Sequence, residues 1–153
     1  MTNDQFKIQK FTAGFTLLEV LLSIAAITII AGIGVPVYQS FQNRNDLDIA
    51  AVSFAQTARR AQTLAQAVDG DTSWGIKAQS GSITLFKGAS YSGRDTSYDE
   101  TFTMPSSIIV SGTQEFVFAK FTGLPQTTGT LTLTSVNSEA RSITVNGKGM
   151  AGY

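Results

Sequence analysis

Hydrophobic positions along the chain take three successive spacings. From Phe15 to Val37 the residues are Leu, Ile, Val, Ala and Phe almost without interruption, and Glu19 carries the only charge. From Leu47 to Val68 they narrow to a stripe, Leu47, Ala51, Phe54, Ala58, Ala61, Ala65 and Val68, at steps of four and three. From Thr72 onward they alternate with polar residues. The first spacing predicts a helix that is apolar all round, the second an amphipathic helix and the third a set of strands.

A helix over residues 15–37 is about 34 Å long at 1.5 Å per residue, enough to cross a hydrocarbon core of roughly 30 Å. This stretch reads as a transmembrane helix. Residues 38–69 read as an amphipathic half of the same helix, so a continuous helix is expected from about Phe15 to Val68. Its polar side carries Gln56, Arg59 and Gln62, and Gly70 stands where a C-terminal cap is expected. Steps near 3.5 residues also suit a coiled coil, but three heptads with few flanking charges support that weakly. The small alanines predict a sheet lying close against this half. Pro36 removes an i to i−4 hydrogen bond and crowds the carbonyl of Gly32, so a kink or local melting is expected around Gly34 and Pro36. The bland alternative is a proline and glycines merely tolerated in a transmembrane helix.

Residues 70–153 read as an antiparallel β domain. Strands are expected at Trp74–Ala78, Ser82–Phe86, Glu100–Met104, Ser107–Val110, Glu115–Phe118, Thr130–Thr134 and Ser142–Asn146. Gln79-Ser80-Gly81 fits a tight hairpin link, and Val136–Ala140 joins the last two strands, each with one dry and one wet face. The predicted fold class is α+β, a long N-terminal helix packed on antiparallel sheet. Trp74 is expected to anchor the core where helix meets sheet.

Composition narrows the chemistry. With 153 residues the chain has room for one domain and an appendage, which excludes a multidomain enzyme. Eleven Lys and Arg balance eleven Asp and Glu, and only 14% of residues are charged. His and Cys are both absent, which removes Cys/His zinc sites, Ser-His-Asp and Cys-His nucleophiles, thiol redox chemistry and disulfides. No acid, base and nucleophile stand together in the β region, so no enzyme and no cofactor are expected. Asp95, Asp99 and Glu100 offer carboxylates without a calcium-loop pattern.

Ahead of the apolar run, Lys7 and Lys10 outweigh Asp4. This bias keeps the N-terminus cytoplasmic and exports the rest. An ordinary signal peptide would be cut near Ser23-Ile24-Ala25, but Glu19 lies inside the hydrophobic region and the apolar run continues past that cut.

Gly14-Phe15-Thr16-Leu17-Leu18-Glu19-Val20 resembles the class III signal of type IV pilins and type II secretion pseudopilins. The resemblance implies a leader over residues 1–14 and cleavage between Gly14 and Phe15 by prepilin peptidase, a membrane aspartyl protease. It implies N-methylation of Phe15 and retention of the apolar helix as the subunit's anchor and assembly element. Glycine before the bond lets the backbone enter a protease without a Cβ in the way. A carboxylate in lipid costs on the order of 2–4 kcal/mol at the bilayer centre and less near the interface, so Glu19 calls for a cation. By resemblance that cation is the N-terminal amine of a neighbouring subunit; the alternative is that Glu19 snorkels to the headgroups. Pro36 falls at residue 22 counted from Phe15, where pilins carry a proline in a segment that unwinds in filaments.

The partners implied are prepilin peptidase, other pilin or pseudopilin subunits, an inner-membrane assembly platform and membrane lipid. The implied location is the bacterial inner membrane, single-pass, with the C-terminal domain outside the cytoplasm, and a filament or pseudopilus after assembly. Trp74-Gly75-Ile76, Ile83-Thr84-Leu85-Phe86, Phe118-Ala119-Lys120-Phe121-Thr122-Gly123-Leu124-Pro125 and Ile143-Thr144-Val145-Asn146-Gly147-Lys148-Gly149 follow the order seen in H-type minor pseudopilins and FimT-type minor pilins. Some FimT-type pilins bind DNA through clustered arginines near the C-terminus. Here that region holds only Arg141 and Lys148, which argues against DNA, since tracking phosphates takes several cations together. Arg59-Arg60 is the one adjacent basic pair. The Gly-, Ser- and Tyr-rich stretch Lys87–Tyr98 reads as either an adaptable contact surface or a solvated loop. Pilus, secretion and competence systems share the N-terminal signal, and the sequence leaves the choice among them open.

Overall fold

In the computed structural model, which describes residues 14–152 apart from the side chain of Val35, the fold is α+β: one long helix and two antiparallel sheets. Residues 1–13 of the expected leader, with Lys7, Lys10 and Asp4, lie outside the described residues.

Helix α1 runs Leu17–Gln66 with Pro36 inside it. The helix is continuous through Gly34 and Pro36. The chain divides into two compact units between Tyr38 and Gln39. Within the second unit the expected stripe is buried from Leu47 through Ala65, and Val68 is only half-buried because α1 has already ended.

The helix stops earlier than Gly70. Val68 turns left-handed at φ 58°, an uncommon state for a β-branched residue, and Asp69–Asp71 forms a short 3₁₀ turn with Gly70 at φ 66°. The Phe121 amide satisfies one carbonyl of the helix end, donating to Ala65 at 3.0 Å. Nearby, Gln62 Nε2 donates to the loop carbonyls of Gly123 and Lys148 at 3.0 and 2.8 Å. Gln62, expected on the solvated side, is therefore a tie between the helix and two loops.

The single sheet expected from the alternation is two. One contains β1 (Trp74–Gln79), β2 (Ser82–Lys87), β3 (Asp95–Thr103) and β5 (Glu115–Phe118) in the order β3-β2-β1-β5. The other contains β4 (Ile109–Gly112), β6 (Gly129–Thr134), β7 (Ala140–Val145) and β8 (Ala151–Gly152) in the order β4-β6-β7-β8. Every strand pair is antiparallel. The β1–β2 hairpin closes with Ser80-Gly81, where Gly81 at φ 88° supplies the left-handed residue the turn needs. Both sheets and the helix share one core, in which Phe54 of α1 meets Phe116 of β5 edge to face at 5.9 Å.

The first sheet is dry on its other face as well. Register places Gly75 between Phe86 and Val117, and both neighbours are buried. A Cβ at Gly75 would run into the Phe86 ring, so glycine here makes room for an aromatic neighbour. Tyr91 caps that ring edge to face at 5.5 Å. β2 is consequently buried at four consecutive positions, and strict alternation fails there.

Candidate functional site

The residues singled out in the sequence sit at the start of α1. Gly14, Phe15 and Thr16 precede the helix and are exposed. Thr16 Oγ1 accepts the Glu19 amide at 3.2 Å and the Thr16 carbonyl accepts the Val20 amide, which makes Thr16 the N-cap. Thr16-Leu17-Leu18-Glu19 has the spacing of a capping box, a signal present in the sequence itself. Glu19 thus has a local role beside any intersubunit one: its charge lies in the first turn, where the helix dipole favours an anion. Among the described residues its carboxylate has no cationic partner.

Beyond Glu19 the helix face is bare. Leu18 is 77% exposed and Ile30 71%, and Leu22, Ile27 and Ile33 are similarly open. This is the one helix among the described residues long and apolar enough to cross a membrane. Its hydroxyls are already satisfied, because Ser23 Oγ donates to the Glu19 carbonyl at 2.7 Å and Thr28 Oγ1 to the Ile24 carbonyl at 2.8 Å. Hydroxyls bonded to their own backbone can enter lipid without leaving a donor unmet.

The other candidates are engaged within the chain. The Lys87–Tyr98 stretch is fastened and partly strand, since β3 begins at Asp95. Arg94 Nε lies 2.8 and 3.0 Å from the two oxygens of Asp99, its Nη1 donates to the Tyr91 carbonyl, and its guanidinium stacks 3.7 Å over the Tyr91 ring. The hydrogen bond to Asp99 raises the Arg94 pKa above its ordinary value. Arg60 forks onto both oxygens of Glu100 at 2.6 and 2.7 Å. With Asp99 and Glu100 held by arginines and Asp95 accepting the Ser97 amide, the three acids do not converge, and no cluster able to hold a metal occurs among the described residues. Arg141, one of the two C-terminal cations, pairs with Asp48 of α1 at 2.7 Å. Trp74 is buried and donates from Nε1 to the Asp69 carbonyl at 2.8 Å, at the corner where helix gives way to sheet.

The fold has a solved counterpart. It is similar to the structure of the minor pseudopilin EpsH from the type 2 secretion system of Vibrio cholerae. The match has a TM-score of 0.53 and covers 70% of this chain and 94% of that one at 14% identity, a likeness of fold. No protein-family profile and no curated protein matches the chain. The architecture expected from the sequence, a long N-terminal helix packed on antiparallel sheet, is the architecture found.

Proposed function

We propose that the chain is a minor pilin or pseudopilin, a structural subunit and not an enzyme, held in the inner membrane by the first half of α1 and assembled through it into a type II secretion pseudopilus or a type IV pilus. The observation that carries this reading is the contrast within one helix: its second half is the core of a pseudopilin-like domain, while its first half exposes a long apolar surface with one carboxylate near its start. In water such a surface is untenable, and lipid or neighbouring helices of the same kind would cover it.

In this reading prepilin peptidase cuts between Gly14 and Phe15 and methylates Phe15. The exposed, non-helical residues Gly14–Thr16 before α1 suit entry into a protease. The new amine of one subunit then approaches Glu19 of a neighbour, which neutralises the carboxylate in a low-dielectric bundle and rewards correct axial register. Gly34 and Pro36 form the point where α1 yields on assembly, because the carbonyl of Gly32 already lacks its helical donor. The fold likeness favours the secretion pseudopilus over the other systems. It also favours a structural role over DNA capture, for which the C-terminal region offers only Arg141, paired with Asp48, and Lys148.

Intact mass and N-terminal sequencing of the protein from membranes with and without the peptidase test this. The expected product starts at methylated Phe15 only when the peptidase is present. A start after Ala25 would mean conventional secretion and would sink the reading.

A further inference from the structure

Of the five asparagines in the chain, one, Asn146, precedes a glycine. The turn that returns the chain from β7 to β8 is built on it. Its amide donates to the Met150 carbonyl at 3.2 Å, and its carbonyl accepts the Gly149 amide at 2.8 Å. Its side-chain Oδ1 accepts the amides of Lys148 and Met150 at 2.9 and 3.1 Å. The bond from Lys148 curls the side chain over the intervening Gly147 amide. That amide donates to no acceptor among the described residues, and Asn146 and Gly147 are both exposed.

The other described asparagines lack this arrangement. Asn43 and Asn45 lie inside α1, where the amides that follow them are spent on carbonyls four residues back. Asn137 is exposed, but the Ser138 amide after it donates to the Ser135 carbonyl at 3.0 Å. Among the described residues, a free amide nitrogen, a side-chain carbonyl next to it and two donors on that carbonyl's oxygen coincide only at Asn146.

We infer that Asn146 is a site of spontaneous covalent modification, converting through a succinimide to aspartate and isoaspartate. The Gly147 nitrogen gives its proton to hydroxide and bonds to Cγ of Asn146, and glycine puts no Cβ in the way. The Lys148 and Met150 amides hold Oδ1 as it takes up negative charge, as an oxyanion hole does. The bond from Cγ to Nδ2 then breaks, and the nitrogen leaves as ammonia with a proton from water. Water opens the ring at either carbonyl, so the net change is one water gained and one ammonia lost.

The two products act differently on the domain. Aspartate keeps an oxygen for both amides and adds a negative charge to the open groove that Asn146 lines with Arg59, a cation with no carboxylate partner among the described residues. Isoaspartate lengthens the main chain by a methylene, which loosens the turn that lays β8 on β7 and presents the Lys148 carbonyl to Gln62. This chemistry goes beyond the subunit reading and is independent of it, since it proceeds whether or not the chain is cleaved after Gly14.

Full-length protein in detergent is incubated in heavy-oxygen water at neutral and mildly alkaline pH, so that label uptake marks conversion during the incubation. It is then digested with trypsin in ordinary water and mapped by mass spectrometry with electron-transfer fragmentation, which tells isoaspartate from aspartate. Asn146 falls in the tryptic peptide Ser142–Lys148 and Asn137 in Phe121–Arg141, so each site is read separately. Labelled conversion at Asn146 should be at least about ten-fold faster than at Asn137, should rise with pH, and should be at least as fast in the folded chain as in guanidinium. Gly147→Ala, whose Cβ meets nothing within 4 Å, should slow it about ten-fold and leave the thermal melt unchanged. Conversion at Asn146 no faster than at Asn137, or slower in the folded chain than in guanidinium, would overturn the inference, because the turn would then clamp the side chain instead of activating it. Gly147→Ala converting as fast as the natural chain would also overturn it, since attack by the following amide would not be the route.

Discussion

The two halves of α1 solve opposite problems. From Leu47 to Ala65 the buried apolar residues occupy one stripe, are mostly alanines around Leu47 and Phe54, and are covered by the chain's own strands. From Leu17 to Val37 the apolar residues occupy all sides, are mostly large and are covered by nothing among the described residues. The first arrangement completes a core and the second requires another phase or another molecule. One continuous helix thus joins a part whose stability is intramolecular to a part whose stability is environmental.

That contrast can be broken from either side. Phe54→Ala should have the largest effect, about 3–5 kcal/mol lost from the domain, because it empties the contact with Phe116 at the centre of the core. Leu22→Ala, in the exposed half, should leave domain stability unchanged; thermal melts of both variants in detergent by circular dichroism would show it. Glu19→Ala should do the reverse of Phe54→Ala. The protein should still be cleaved and inserted, and its melt should be unaltered, yet it should be recovered poorly in sheared filaments or pseudopili. Normal incorporation would remove the pairing role and leave Glu19 only its place in the first turn of α1. Gly75→Ala comes next, at about 1–3 kcal/mol, since its Cβ meets the Phe86 ring in a packed layer, and the same melt measures it. Arg60→Ala should be the smallest effect, under about 1 kcal/mol, because the pair with Glu100 is half-exposed on both sides.

Much of this architecture was legible in the chain. The change of spacing at Thr72 separated helix from strands, and β5 was placed residue for residue because Glu115–Phe118 is short and sharply bounded. What was hidden had physical causes. β3 starts five residues earlier than expected because Asp95–Asp99 is polar and largely exposed, so no apolar alternation announces it. β8 is two residues long and has no period to read. The division into two sheets depends on which strands pair across long connections, such as β1 with β5, and local spacing carries no such information. In the candidate site, Glu19 was visible as a charge in an apolar run. The fastening of the Gly-, Ser- and Tyr-rich stretch was not, because it depends on Arg94 meeting both Asp99 and Tyr91 in three dimensions.

Trp74 has one more consequence. It is the sole tryptophan of the chain, buried against the core with its indole nitrogen on the Asp69 carbonyl, 36 residues beyond the boundary between the two units. Its emission is therefore a built-in optical gauge of the β-rich domain and is blind to the exposed apolar half of α1. Under the assembly proposed above, whether that domain keeps its interior intact on passing from membrane to filament can be read from an unlabelled protein, as the presence or absence of a red shift.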